Sequence, residues 1–150
     1  MCHIGSSDKL AYMEVRSGMS SAVVTVAPGA TLHDAARAMA ERKVGAAVVI
    51  DPEQPGPGII TERDLLMSVG RGEDPNSELV RDHLSAELTF AAPEWSLERA
   101  AEAMVRGGFR HLVVVDGGEM VGVLSMRDIV RCWVKDGATS ELPRDVAESA

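Results

Sequence analysis

Shifted by 65 residues, this sequence lies on itself. Pro28–Asp51 then falls on Pro93–Asp116, and nine of the 24 positions are identical: Pro28/Pro93, Leu32/Leu97, Ala35/Ala100, Ala36/Ala101, Ala38/Ala103, Met39/Met104, Val48/Val113, Val49/Val114 and Asp51/Asp116. One residue drops out of the following loop. At a shift of 64, Gly58-Ile59-Ile60-Thr61-Glu62-Arg63-Asp64 matches Gly122-Val123-Leu124-Ser125-Met126-Arg127-Asp128, hydroxyl on hydroxyl, Arg on Arg and Asp on Asp. Shared core patterning could produce coincidences of Ala and Val, but not this polar set in register. The chain is a duplication, and any fold it adopts must be built twice from one unit.

Both copies parse alike. Ala22–Val26 and Leu88–Ala91 read as short strands, each running into a proline. Thr31–Lys43 and Ser96–Gly107 follow as amphipathic helices. Leu32, Ala35, Ala36 and Met39 share one face, as do Leu97, Ala100, Ala101 and Met104. Thr31 and Ser96 are N-caps, and Gly107-Gly108 stops the second helix. Ala46–Ile50 and His111–Val115 are buried strands partnered by Ile59-Ile60 and Met120–Leu124. Asp116-Gly117-Gly118-Glu119 joins the second pair as a hairpin, whereas the first pair has the longer, stiff loop Asp51–Pro57. Helices Thr61–Val69 and Ser125–Val134 close the copies. The expected class is α/β (α+β), two repeated β-α-β-β-α units. The organisation expected is an N-terminal extension over 1–17, repeat 1 over 18–70 and a linker over 71–84, with Glu78–Leu84 a short helix. Repeat 2 then covers 85–135, with a C-terminal tail over 136–150.

Composition excludes several functions. Fifteen Lys and Arg against 23 Asp and Glu leave a net charge of −8, which argues against a nonspecific nucleic-acid binder needing basic surface to displace counterions. A small anion held by a few local arginines remains compatible with that charge. Apolar stretches such as Leu112–Asp116 and Met120–Leu124 are too short to span a bilayer, and Met1–Ser7 lacks the basic-then-apolar signal-peptide pattern. Two cysteines, Cys2 and Cys132, cannot form a disulfide framework, so the expected home is a reducing cytoplasm, away from membranes.

The repeated Gly–apolar–apolar–Ser/Thr–x–Arg–Asp string carries the chemistry. The glycine permits close approach to the strand, and the apolar pair buries its end. The hydroxyl then stands at a helix N-terminus, where free N–H groups and the helix dipole favour an anion such as phosphate, with Arg as a further donor. Asp in the first turn can accept both hydroxyls of a ribose cis-diol. A capping role explains the same spacing: in Thr61-x-x-Asp64 and Ser125-x-x-Asp128 each side chain can satisfy an orphan N–H. On spacing alone the two readings are even.

Taken in order, Thr25-Val26-Ala27-Pro28, Thr31-Leu32, Ala35, Met39, Val44–Val49 and Gly58–Asp64 closely resemble a CBS domain, the cystathionine-β-synthase motif. Phe109–Asp116 and Gly122–Asp128 look like its tandem partner. Residues 18–135 together resemble a stand-alone bacterial CBS pair, or Bateman module. The resemblance implies two units related by a pseudo-twofold axis, and a regulatory module that binds AMP, ADP, ATP or S-adenosylmethionine and alters its contacts with a regulated partner protein. It also implies a homodimer: flat discs of four repeats are common in the family. Each cleft would combine the helix start of one copy with strands of the other. One would take Ser125, Arg127 and Asp128 with Val24, Gly45 and Ala46; the other would take Thr61, Arg63 and Asp64 with Thr89, Phe109 and Arg110. Phe109-Arg110-His111 replaces Val44-Gly45-Ala46, and the threonine of the second copy's first strand is one residue early, so the clefts differ. Glu62 would repel phosphate unless it points outward, which favours the Ser125–Asp128 cleft.

Other candidates read as structure. Cys2-His3 has no companion pair for a metal; His33 and His83 read as solvated surface; Cys132, Met39 and Met104 read as packing. Gly117, Gly118 and Gly122 fit no phosphate-loop or dinucleotide fingerprint. No nucleophile–base arrangement supports an enzyme. The competing function is a structural dimer that kept the scaffold and lost its ligand. Leu65, Leu66, Ile129 or Val130 would be buried between chains.

Overall fold

The computed structural model describes residues 6–85 and 89–135. The expected strand start at Leu88, the pair Cys2-His3 and the tail 136–150 lie outside the described residues. Contacts divide the chain into two units, residues 22–85 in one and residues 6–21 with 89–135 in the other.

In the first of these, β1 (Thr25–Val26) leads through α3 (Leu32–Arg42) to β2 (Ala46–Val49), and β3 (Gly58–Thr61) runs into α4 (Glu62–Gly70). A single 3₁₀ turn, η1 (Val80–Asp82), follows where the sequence predicts a helix over Glu78–Leu84. The sheet order is β1-β2-β3, parallel then antiparallel, with Thr25 opposite Val48 and Ala46 opposite Thr61. Thr31 caps α3 in a full capping box with Asp34, and Lys43 ends it in the left-handed conformation at φ 54°. Leu32, Ala35 and Met39 from α3 join Val24, Val26, Ala47, Val49, Ile60 and Val80 in the core.

The second unit repeats the plan with β4 (Phe90–Ala91), α5 (Leu97–Gly107), β5 (His111–Asp116), β6 (Glu119–Ser125) and α6 (Met126–Lys135). The register repeats as well: Phe90 faces Val113 and His111 faces Ser125, each the shifted counterpart of a pair in the other sheet. Gly117 and Gly118, at φ 60° and 85°, make the hairpin turn between β5 and β6. Gly108 ends α5 in the left-handed region. A Cβ at Gly107 would overlap the Phe109 ring, which packs onto this unit's core.

The expected strand over Ala22–Val26 shortens to Thr25–Val26, because the Ala22 carbonyl accepts from the Arg42 guanidinium instead of a neighbouring strand. Ile50 likewise falls outside β2, exposed.

Residues set apart by the sequence as extension and linker are integral to the units. Helices α1 (Ser6–Tyr12) and α2 (Val15–Gly18) pack on α5 and α6, and Val15 is fully buried in their core. Val80, its counterpart 65 residues on, is fully buried in the other core. The backbone bonds match in pairs. Leu97 N–H donates to the Met13 carbonyl as Leu32 N–H does to Glu78, and Ser20 N–H donates to Val123 as Ser85 N–H does to Ile59. The duplicated unit therefore includes 13–20 and 78–85.

His83 corrects a further expectation. Its side chain is 7% exposed and its Nε2 lies 2.8 Å from Glu78 Oε1, so it is a buried, bonded group rather than solvated surface. His33 is exposed, Met39 and Met104 are core residues, and Cys132 is half-buried against the core.

Candidate functional site

The strand register brings the named residues of each copy to one end of its own sheet. β2 begins at Ala46 beside the last residue of β3, Thr61, and β1 runs parallel to β2, so Val24 precedes β1 at that same end. The Val24 carbonyl accepts from Val48 N–H, and the Gly45 carbonyl accepts from Glu62 N–H at 2.9 Å. Val24 and Ala46 are buried there, Thr61 and Asp64 half-buried, and Arg63 exposed.

The other unit holds the counterparts identically. The Thr89 carbonyl accepts from Val113 N–H, and the Arg110 carbonyl accepts from Met126 N–H at 2.8 Å. Thr89 thus occupies the place of Val24, which accounts for the one-residue displacement of the threonine. Arg110 and Arg127 are exposed, Ser125 is half-buried and Asp128 is 8% exposed. Phe109 is half-buried, its ring packed against its own core.

Both helix starts are closed by their own side chains. Thr61 N–H and Oγ1 donate to Asp64 Oδ2 at 2.8 and 2.9 Å, and Asp64 N–H donates back to Thr61 Oγ1 at 3.4 Å. Ser125 N–H donates to Asp128 Oδ2 at 2.8 Å, and Asp128 N–H donates to Ser125 Oγ at 3.0 Å. The capping function is therefore real in both copies. It consumes one carboxylate oxygen of each aspartate. Asp64 Oδ1 lies outside the cap, while Asp128 Oδ1 accepts from Arg131 at 3.1 Å. Glu62 is exposed and Met126 replaces it in the other copy. Chemically, each sheet end presents a helix N-terminus, an exposed arginine and a carboxylate, a set suited to a phosphate and a sugar diol.

The motif's glycine has a role that its sequence context leaves open. A Cβ on Gly122 would come 2.7 Å from the Ser20 carbonyl oxygen, and one on Gly58 would come 3.0 Å from a Leu84 methyl. The close approach is by the chain's own flanking segments, residues 19–20 and 84–85. The missed signal was present in the sequence: at the same shift of 65, Val15-Arg16 matches Val80-Arg81 and Ser20 matches Ser85.

Comparison with known proteins gives one answer. The family model for the CBS domain matches residues 13–71 and 80–135. The CBS domain-containing protein YhcV of Bacillus subtilis is 33% identical over 116 residues, 77% of this chain and 81% of that protein. An uncharacterized protein of Methanocaldococcus jannaschii, MJ1225, is 30% identical over 128 residues, 85% of this chain but 45% of its own length. This chain thus spans about half the length of the first curated relatives it matches, 45% and 57%. Among solved structures, the CBS domain protein PAE2072 from Pyrobaculum aerophilum, complexed with AMP, superimposes with a TM-score of 0.71 at 30% identity, covering 85% of this chain and 99% of that one. A hexameric CBS-CP12 protein from bloom-forming cyanobacteria gives 0.73 at 28% identity, covering 79% and 69%. With both repeats matched in sequence and in fold, this chain belongs to the CBS domain family and carries two copies of the domain.

Proposed function

We propose that this protein is a regulatory, non-catalytic module that binds an adenosine-containing ligand (AMP, ADP, ATP or S-adenosylmethionine) and alters its contacts with a partner protein on binding. The observation that carries the proposal is the duplicated helix start, hydroxyl–x–Arg–Asp, standing in both copies beside the first residues of the sheet. The AMP complex of the relative from Pyrobaculum aerophilum supports the ligand class. In this reading Ser125, Arg127 and Asp128 act with Val24, Gly45 and Ala46, and Thr61, Arg63 and Asp64 act with Thr89, Phe109 and Arg110. Arginine and helix N–H groups hold phosphate, and the aspartate's oxygen outside the cap takes the ribose diol. The Ser125–Asp128 start is the better anion site, because Met126 stands where Glu62 adds negative charge in the other copy. A reducing cytoplasm is the setting that the two cysteines suit.

The completeness of both caps favours a second reading, a ligand-free dimer on the same scaffold. Calorimetric titration of the full chain with AMP, ATP and S-adenosylmethionine separates the two. Saturable heat with at least one ligand is expected; no heat with any of the three leaves the ligand-free reading standing.

A further inference from the structure

The unit of residues 22–85 contains a polar cluster that its duplicate lacks. Glu73, Glu78 and His83 each offer one ligand-type atom, all three within 4.8 Å of one another. His83 supplies Nε2, already 2.8 Å from Glu78 Oε1, on a side chain only 7% exposed. Ser68, near the end of α4, adjoins Glu73, whose N–H donates to the Ser68 carbonyl at 3.2 Å. Ser68 is fully buried, and its Oγ has no hydrogen-bond partner. A buried hydroxyl without a partner gives up its hydration uncompensated, so it marks a site whose polar complement is incomplete.

The duplication supplies an internal control. Shifted by the repeat, Ser68 falls on Cys132, His83 on Gly18 and Glu78 on Met13. A Cβ on Gly18 would come 3.1 Å from Cys132 Sγ, so the same corner of the other unit is filled by a thiol against glycine. The fold does not require the polar set at this corner.

We propose that Glu73, Glu78 and His83 bind one divalent transition-metal ion of the zinc type, with Ser68 Oγ donating to a ligating carboxylate. Imidazole with two carboxylates is a zinc-type donor set, and three protein ligands leave one position for water. A metal held at about 2.0–2.2 Å by each ligand in tetrahedral geometry sets the ligand atoms about 3.3–3.6 Å apart, so Glu78 Oε1 and His83 Nε2 would part slightly from 2.8 Å, within reach of carboxylate rotation. The Ser68 hydroxyl would then orient a ligand, the usual work of a group one shell out. Arg71 occupies Glu73 Oε1 at 2.9 Å, which leaves Oε2 for the metal. Bound there, the ion would clamp the loop after α4 and the turn η1 to the end of α4.

The test uses the full chain, stripped of metal and melted with and without zinc chloride. An ion bound only by the folded state raises the melting temperature with concentration. Wild type should show that rise. Glu73→Gln and Glu78→Gln, which keep side-chain volume, should each weaken zinc binding by about tenfold or more and lose most of it. Cobalt loading gives a reading independent of variant stability, because an oxygen and nitrogen donor set shows no thiolate-to-cobalt charge-transfer band. No zinc-dependent rise in wild type, a rise kept in both variants, or a thiolate band pointing to a cysteine each overturns the site. Nucleotide titration reports on neither metal readout, so the two proposals stand or fall separately.

Discussion

Asp64 and Asp128 each commit one oxygen to the start of a helix, which separates what the cap needs from what a ligand would need. Asparagine keeps an acceptor for the Ser125 N–H but loses the negative charge. Asp128→Asn should therefore weaken binding of an adenosine ligand by about tenfold or more, since each charge-assisted hydrogen bond contributes roughly 1.5–3 kcal/mol. Its melting curve should move little: Asn at this third helical position keeps an oxygen for the Ser125 N–H, and the lost Arg131 partner is 54% exposed, a surface pair of small worth. Asp64→Asn should affect only the other cleft. Unaltered affinity in Asp128→Asn for a ligand that binds wild type would refute the ribose role. Gly122 offers a stability counterpart at the same scale. Its missing Cβ would meet the Ser20 carbonyl oxygen at 2.7 Å, backbone that cannot swing aside, whereas Gly58 faces only the tip of Leu84. Gly122→Ala should cost about 1–3 kcal/mol in denaturant unfolding, and Gly58→Ala clearly less. Equal costs would mean that the flanking segment yields as easily as a side chain.

Among the elements, the strands and helices of the repeat were legible because each combined periodicity with punctuation: Thr31 and Ser96 at helix starts, Gly108 at a helix end, Gly117-Gly118 in the hairpin. Strand lengths were less so, since apolar runs such as Ala22–Val26 continue past the last ladder bond. The flanking elements were missed for a different reason. Residues 13–20 and 78–85 are short and polar in parts, and only Val15-Arg16, Val80-Arg81 and the serines repeat. Beyond Val15 and Val80, their anchoring is by backbone bonds, which leave no side-chain pattern. His83 differs from its expected exposure for a similar reason: its bond is to Glu78, five residues earlier, a spacing that no sequence pattern marks. The motif's arginines and aspartates were locatable from the repeat, but spacing could not reveal that both aspartates close capping boxes. If α2 and η1 are structural parts of their units, Val15→Ala and Val80→Ala, both fully buried in wild type, should each destabilise by about 1–3 kcal/mol. Tyr12→Ala, at a side chain 86% exposed, should leave the midpoint within about 0.5 kcal/mol of wild type. A silent Val15→Ala, read by the same unfolding titration, would return that stretch to the status of an appendage.

At the scale of the whole chain, the two helices that close the repeats leave apolar side chains uncovered. Leu66, Met67 and Val69 of α4 are 71%, 53% and 56% exposed, and Val130 and Trp133 of α6 are 49% and 41% exposed. Ile129, by contrast, is 5% exposed and belongs to the core of its own unit, which removes it from any interface between chains. Amphipathic helices spend their apolar face on a core; here several large side chains remain outside one. We propose a second copy of the chain as the occupant. The net charge of −8 opposes nucleic acid as the occupant. The cyanobacterial CBS-CP12 protein of similar fold is hexameric. The 16.0 kDa chain should therefore sediment at about twice that mass at micromolar concentration. Leu66→Glu combined with Trp133→Glu should shift it to the monomer while each unit keeps its far-ultraviolet dichroism, because neither side chain fills a core. Ile129→Glu should instead unfold the unit that buries it, through an unpaired charge in an apolar core. The contrast separates loss of an interface from loss of a fold. A wild-type species of 16.0 kDa, or a double variant that still dimerises, would place those apolar residues outside the interface between copies.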